Sequence, residues 1–135
     1  MFQGLTDERG VRRATTALGV ATALFGLGPA VAPACFARLF GLPTDGSPAT
    51  LAAIRSVGIR DAVMGIGLVS ASVHGGRIAP LLLARTLVDG GDAITVSLAM
   101  AKGGGNARLA ALGALAFGAA LVDHALWHAA RGASR

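Results

Sequence analysis

The chain has 135 residues, 53% hydrophobic and 14% charged, with twelve Lys and Arg against seven Asp and Glu for a formal net charge of +5. An ordinary soluble domain carries about 25% charged residues, so this composition cannot coat a water-facing globule and lipid is its natural solvent. The hydrophobicity, the aperiodic glycines and the single cysteine, Cys35, exclude disorder, collagen and a disulfide scaffold.

The lead-in from Met1 to Arg13 is polar and reads as a frayed or interfacial segment. No charge follows from Ala14 to Ala37. A basic stretch before an apolar one imitates a signal peptide, but the run outlasts the roughly 7 to 15 residues of a signal core, which favours a membrane span. The first long helix is expected over about 14–32, kinking through Pro29 and ending by Pro33, because proline removes a donor and clashes with the preceding turn. Pro33 to Phe40 then puts Phe36, Leu39 and Phe40 on one side and Arg38 on another. That pattern fits a short helix at the headgroups or the frayed end of the first helix.

Gly41 to Ser47 reads as a loop, with Ser47 as N-cap and Pro48 at the first helical position. The second long helix is expected over 48–73, stopped by His74-Gly75-Gly76-Arg77. The third covers 78–101, with Pro80 tolerated in its first turn and the run from Lys102 through three glycines breaking it. The fourth covers 107–130 after the capping Asn106, with Trp127 near its end, where an indole can sit at the interface. There is no period-two alternation and no repeat of about 20 to 50 residues. A span takes about 20 residues, so the expected fold is all-α: one domain, a four-transmembrane-helix antiparallel bundle without a separate soluble catalytic unit.

Charge placement sets the expected orientation. Arg55, Arg60, Arg85, Asp61, Asp89, Asp92 and Asp123 lie inside hydrophobic stretches, and the cationic excess sits at ends and turns. Basic flanks of this kind orient helices in a bilayer, and no basic aromatic surface suited to nucleic acid is present. Arg9, Arg12, Arg13, Arg77, Arg131 and Arg135 share one side, against Arg38, Lys102 and Arg108 on the other. This asymmetry predicts a multi-pass plasma-membrane protein with both termini cytoplasmic.

The third helix is the informative one. Arg85, Asp89 and Asp92 cost on the order of 8 to 10 kcal/mol on the insertion scale, against roughly 3 to 6 returned by its large aliphatic residues. These charges must therefore find partners, water or protonation inside the bundle. If the second and third helices form an antiparallel hairpin turning near His74, Arg60 comes level with Asp89, Asp61 with Arg85, and Arg55 with Asp92. Arg55 and Arg60 are about 140° apart around their helix, so the three pairs cannot share one seam, and the level of Arg60, Asp61, Arg85 and Asp89 is the favoured one. On the third helix Arg85, Asp89 and Asp92 do form one stripe.

Such a cluster fits an internal lock that fixes which helices pair, since buried ion pairs can set register with little net stability. It equally fits acid–base chemistry. Burial and a neighbouring guanidinium act on a carboxyl in opposite directions, so an Asp pair beside arginines can divide into an acid and a base.

The segments FARLFGLP (Phe36 to Pro43), GIRDAVMGIGL (Gly58 to Leu68) and RTLVDGGDAI (Arg85 to Ile94) resemble the small four-helix membrane proteins grouped as domain of unknown function 4267, and more loosely the DoxX-like membrane proteins. The resemblance implies a four-span bundle with Arg60, Asp61, Arg85 and Asp92 at the family's motif positions. It implies no activity.

His124 and His128 are spaced i, i+4 on one face, with Asp123 before them and His74 at the same expected membrane side. A metal site normally wants a third or fourth ligand, so these are weak candidates and no metal or other cofactor is expected. The glycines and alanines read as close helix contact: Gly58, Ala62 and Gly65 on the second helix, Ala110, Ala114 and Gly118 on the fourth. Part of such faces can serve a homo-oligomer. Gly103-Gly104-Gly105 is no phosphate loop, since no strand precedes it and no Lys-Ser/Thr follows.

The favoured function is a pocket for a lipophilic small molecule. Asp61, Asp89 and Asp92 would be its acid–base residues, with Arg60, Arg85 and Arg55 orienting, and an isomerisation or cyclisation its reaction. The alternatives are an oligomeric proton- or ion-coupled transporter subunit and a non-catalytic membrane assembly protein.

Overall fold

The computed structural model describes residues 7–133. Five α-helices follow one another: α1 (Glu8–Val31), α2 (Pro33–Phe40), α3 (Pro48–Val73), α4 (Ala79–Ala99) and α5 (Ala107–Ala133), and among the described residues there is no strand. The polar lead-in is helical from Glu8 onward, and its first six residues lie outside the described ones. Asp7 caps α1 by accepting from the Gly10 backbone N–H at 2.7 Å, and Glu8 pairs with Arg12 one turn on. Pro29 lies inside α1 and does not stop it. The break comes at Ala32, just before Pro33, so α2 is a separate short helix. Phe36 and Phe40 fold back on Phe25, with ring centroids 5.6 and 6.0 Å away. Leu39, expected beside them, is exposed.

Ser47 and Pro48 start α3 as expected, the Ser47 side chain accepting from the Thr50 backbone N–H. Asp45 holds this entry through hydrogen bonds from the Ser47 N–H and the Thr50 hydroxyl, which set its pKa below the usual carboxylate value. A widened π turn, Met100–Gly104, follows α4, with Gly103 at φ 85°. The Asn106 carboxamide then does two things: its Oδ1 accepts from the Leu109 N–H at 2.9 Å, and its Nδ2 donates to the Gly41 carbonyl at 2.7 Å. Asn106→Ala should therefore cost about 1 to 2 kcal/mol, the upper part of the range for a lost N-cap, because the tie to Gly41 goes with it. Denaturant unfolding of the detergent-solubilised variant measures this.

The helices pack as two close pairs, α1 with α3 and α4 with α5, while α3 and α4 scarcely touch. The expected seam between the second and third long helices is therefore absent. Glycine explains the choice of partner. Gly19 and Gly26 on α1 meet Gly65 and Gly58 on α3, at the same seven-residue spacing, and a Cβ on Gly26 would stand 2.6 Å from Gly58 O and Ala62 N. Only hydrogen fits there, which lets the two backbones touch. Gly58 also leaves room for the Pro29 ring.

On α5 the packed face is offset from the expected one. Leu109, Ala120, Asp123 and Ala130 are buried and Gly113 abuts Val96, whereas Ala114 is exposed and a Cβ on Gly118 would meet nothing within 4 Å.

The two pairs join at their ends. Val11, Leu68, Ile78, Leu82 and Ala130 form one apolar cluster at the end where α1 begins and α5 finishes. At the other end Arg108 donates to the Arg38 carbonyl beside the Asn106–Gly41 bond. The outward faces are apolar: Leu24 is 64% exposed, Ile66 62% and Leu87 69%. Such surface is suited to acyl chains and unsuited to water. Among the described residues three helices, α1, α3 and α5, are long and apolar enough to cross a membrane. The 21-residue α4 contains Arg85, Asp89 and Asp92, which lower its apolarity.

Candidate functional site

Burying Arg85 and Asp89 follows from the stripe they occupy. Leu82, Arg85, Asp89 and Ala93 are the buried residues of α4, so the face that packs on α5 includes a cation and an anion. Arg85 Nη2 lies 2.5 Å from Asp89 Oδ2, and its Nε donates to Asp123 Oδ2 on α5 at 3.1 Å. Asp123 is fully buried, and among the described residues its Oδ1 has no hydrogen-bond partner. One guanidinium thus serves two carboxylates within the α4–α5 pair.

The second group crosses between the pairs. Arg60 on α3 donates to Asp61 Oδ1 at 3.0 Å and grips both oxygens of Asp92 on α4, at 2.6 and 3.2 Å. A two-pronged guanidinium–carboxylate contact fixes orientation as well as distance. It joins α3 to α4, which otherwise hardly meet.

None of the three expected pairs forms. Arg60 takes Asp92 in place of Asp89, and Arg85 takes Asp123 in place of Asp61, because α3 and α4 do not pack along a common seam. Arg55 is outside the cluster: it is exposed, and its Nε donates to the Ala30 carbonyl at 3.0 Å, a bond within the α1–α3 pair. Asp123, counted in the sequence among the charges of hydrophobic stretches and grouped there with the histidines, belongs to the cluster. Its signal was the three- and four-residue spacing Leu109, Gly113, Ala116, Ala120, Asp123.

Between the two helix pairs lies a cavity of about 520 Å³. Asp61, Arg85, Asp89 and Asp92 give it one polar patch. Leu18, Phe25, Ile54 and Val57 wall it on the α1–α3 side, and Val96, Leu112, Leu115 and Ala116 on the other. Phe25, Val57 and Leu115 are also exposed, so the cavity opens on the outer surface. An apolar volume of this size with a few converging polar groups is the usual form of a small-molecule site.

The histidines lie elsewhere. His124 and His128 stand with their Nε2 atoms 3.2 Å apart beside Trp127, and both are exposed. The His74 ring contacts the Ser70 carbonyl at 2.9 Å. Among the described residues no three His, Cys, Asp or Glu side chains converge to hold a metal ion, so His74 does not supply the third ligand.

The family described as "Domain of unknown function (DUF4267)" matches the chain over residues 19–130, which includes every residue of the Arg/Asp cluster and of the cavity except Leu18. No curated protein and no solved structure matches the chain.

Proposed function

This chain belongs to the family described as domain of unknown function DUF4267, and we propose that it is an antiparallel four-span membrane bundle that binds a lipophilic small molecule between its helix pairs. The observation that carries this reading is the cavity of about 520 Å³, apolar on its walls and ionic on one patch. Its ligand is a largely hydrocarbon molecule with an oxygen-bearing head, the body against Phe25, Val57 and Leu115 and the head at the Arg/Asp patch. Such a molecule enters sideways from the acyl layer, since residues of the mouth are themselves exposed apolar side chains. Six side chains form the cluster, Arg60 and Arg85 with Asp61, Asp89, Asp92 and Asp123. Carboxylates outnumber guanidiniums, so a proton can rest on an aspartate while each arginine keeps an anionic partner. That supports acid–base work on the ligand, with Asp61, Asp89 and Asp92 facing the cavity, Arg85 able to stabilise a developing oxyanion and Arg60 positioning Asp61 and Asp92. The basic excess at the end carrying both chain termini supports a plasma-membrane orientation with that end in the cytoplasm.

A second reading is favoured by the Arg60–Asp92 bridge: the charges hold two otherwise loosely joined helix pairs in register. Ala116→Trp separates the two readings. Filling the cavity should remove lipophilic molecules that co-purify with the detergent-solubilised protein, as read by mass spectrometry of organic extracts, with unfolding behaviour retained. Identical extracts from wild type and variant would sink the pocket. Asp89→Asn should still carry the molecule but leave it unconverted, and proton flux in liposomes would instead favour a transport role.

A further inference from the structure

The two arginines of the cluster are engaged to different degrees. Arg60 commits all three guanidinium nitrogens: Nε and Nη2 to Asp61 Oδ1, Nη2 also to Asp92 Oδ2, and Nη1 to Asp92 Oδ1. Arg85 commits two. Its Nε donates to Asp123 Oδ2 and its Nη2 to Asp89 Oδ2, and among the described residues its Nη1 donates to nothing.

That nitrogen is not sealed in the packing. Among the described residues the buried side-chain atoms without a partner are Ser72 Oγ and Asp123 Oδ1, so Nη1 keeps accessible surface, and Arg85 lines the mid-bundle cavity. The wall's other side-chain hydroxyls are occupied: Thr22 and Thr95 donate to the Leu18 and Gly91 carbonyls one turn back. Among the described residues Arg85 Nη1 is thus the uncommitted cationic donor of this cavity.

A lone donor beside surplus carboxylates selects a chemical class. An ionised carboxylate or phosphate head would satisfy Nη1, but it would add negative charge to a cluster that already sets four carboxylates against two guanidiniums. An ammonium head has no acceptor for Nη1 and would bring cation against cation. An uncharged oxygen satisfies Nη1 with neither penalty, and a hydrogen bond from a charged donor is a strong one. Among uncharged heads a carbonyl suits acid–base work. Transfer of its α-proton to an aspartate moves the C–H electron pair onto the carbonyl oxygen, as an enolate facing Nη1. Return of the proton to a different carbon of an unsaturated chain gives an isomer of the same composition. Given the pocket read above, on which this assignment rests, we propose that the cavity takes an uncharged lipophilic carbonyl compound, its oxygen on Arg85 Nη1, and discriminates against acids and amines.

Full-length protein in an uncharged detergent is titrated with four probes of equal chain length: a methyl ketone, the alkane, the primary alkylammonium and the alkanesulfonate, the last two charged at neutral pH. Half-saturation is read from the saturable shift in thermal unfolding. The ketone should half-saturate at a mole fraction about tenfold below the alkane's, the effect of one hydrogen bond to a charged group, and below those of both ions. Arg85→Lys, which keeps a cation between Asp89 and Asp123, should bring ketone and alkane together. Arg55→Gln, outside the cluster, should leave their ratio unchanged. In wild type the carbonyl ¹³C resonance of bound ketone should lie downfield of its position in empty micelles, a signature that does not depend on Arg85→Lys folding. Ketone and alkane binding alike, an unshifted carbonyl, or a ratio that Arg85→Lys moves no more than Arg55→Gln would overturn the assignment and leave the pocket standing. Tighter binding of the ammonium would overturn it in favour of a cationic ligand, and of the sulfonate in favour of an acidic one. Silence with all four probes would remove the pocket itself.

Discussion

Gly58→Leu should leave little folded protein in detergent. A Cβ at this position would fall against Ala30 N and Gly26 O and stand 2.8 Å from Pro29 Cγ, so the first added atom meets backbone that cannot move without parting α1 from α3. Overpacking commonly costs about 1 to 3 kcal/mol, and a clash with the neighbouring helix backbone belongs at or beyond the top of that range. Gly67→Leu and Gly90→Leu are the controls, because a Cβ at either meets nothing within 4 Å. Both should be tolerated, since leucine improves helix propensity by somewhat under about 1 kcal/mol over glycine. Size-exclusion profiles and denaturation midpoints of the three variants read the contrast. Equal loss in all three would mean that the close approach of α1 and α3 does not hold the fold.

Arg85→Met is the second large effect. It leaves Asp89 and Asp123 buried without their cation, and removing one partner of a buried ion pair typically costs about 3 to 5 kcal/mol. The informative companion is Arg85→Met with Asp89→Leu and Asp123→Leu, which removes the charges together. Replacing a buried ionic group by well-packed apolar side chains is often neutral or stabilising, so this triple variant should recover most of the lost stability. It should also lack the co-purifying lipophile if the cluster serves a ligand. A triple variant that folds, inserts and still carries the molecule would leave the charges as a structural lock only.

Local chemistry made much of the fold legible. Ser47 followed by Pro48 marks the start of α3, Asn106 the start of α5, and the glycine-rich turns the ends between them, because capping and φ preference act within a few residues. The pairing of the helices was not legible in the same way. The short turn at His74 makes α3 and α4 neighbours in the chain, and the expected ion pairs assumed that they also pack together. The decisive signal was the matching seven-residue spacing of Gly19 with Gly26 and of Gly58 with Gly65, a pattern that names partners only when two helices are compared. Arg55 and Arg60 show the same limit from the side-chain end: the roughly 140° between them around α3 sends Arg55 to the Ala30 carbonyl and Arg60 into the cluster. Asp123 was read with the neighbouring histidines because they are adjacent in sequence, although its spacing from Ala116 and Ala120 places it on the packed face of α5.

The arginine–aspartate contacts should persist within the bilayer, and solid-state NMR distance measurement between ¹⁵N-labelled Arg and ¹³C-labelled Asp in reconstituted bilayers tests this most directly. The prediction is close guanidinium–carboxyl contacts from Arg60 and Arg85, with the Arg60 signal lost in Arg60→Gln and the Arg85 signal retained. Spectra without such contacts, or with both guanidiniums exchanging freely with bulk water, would contradict it.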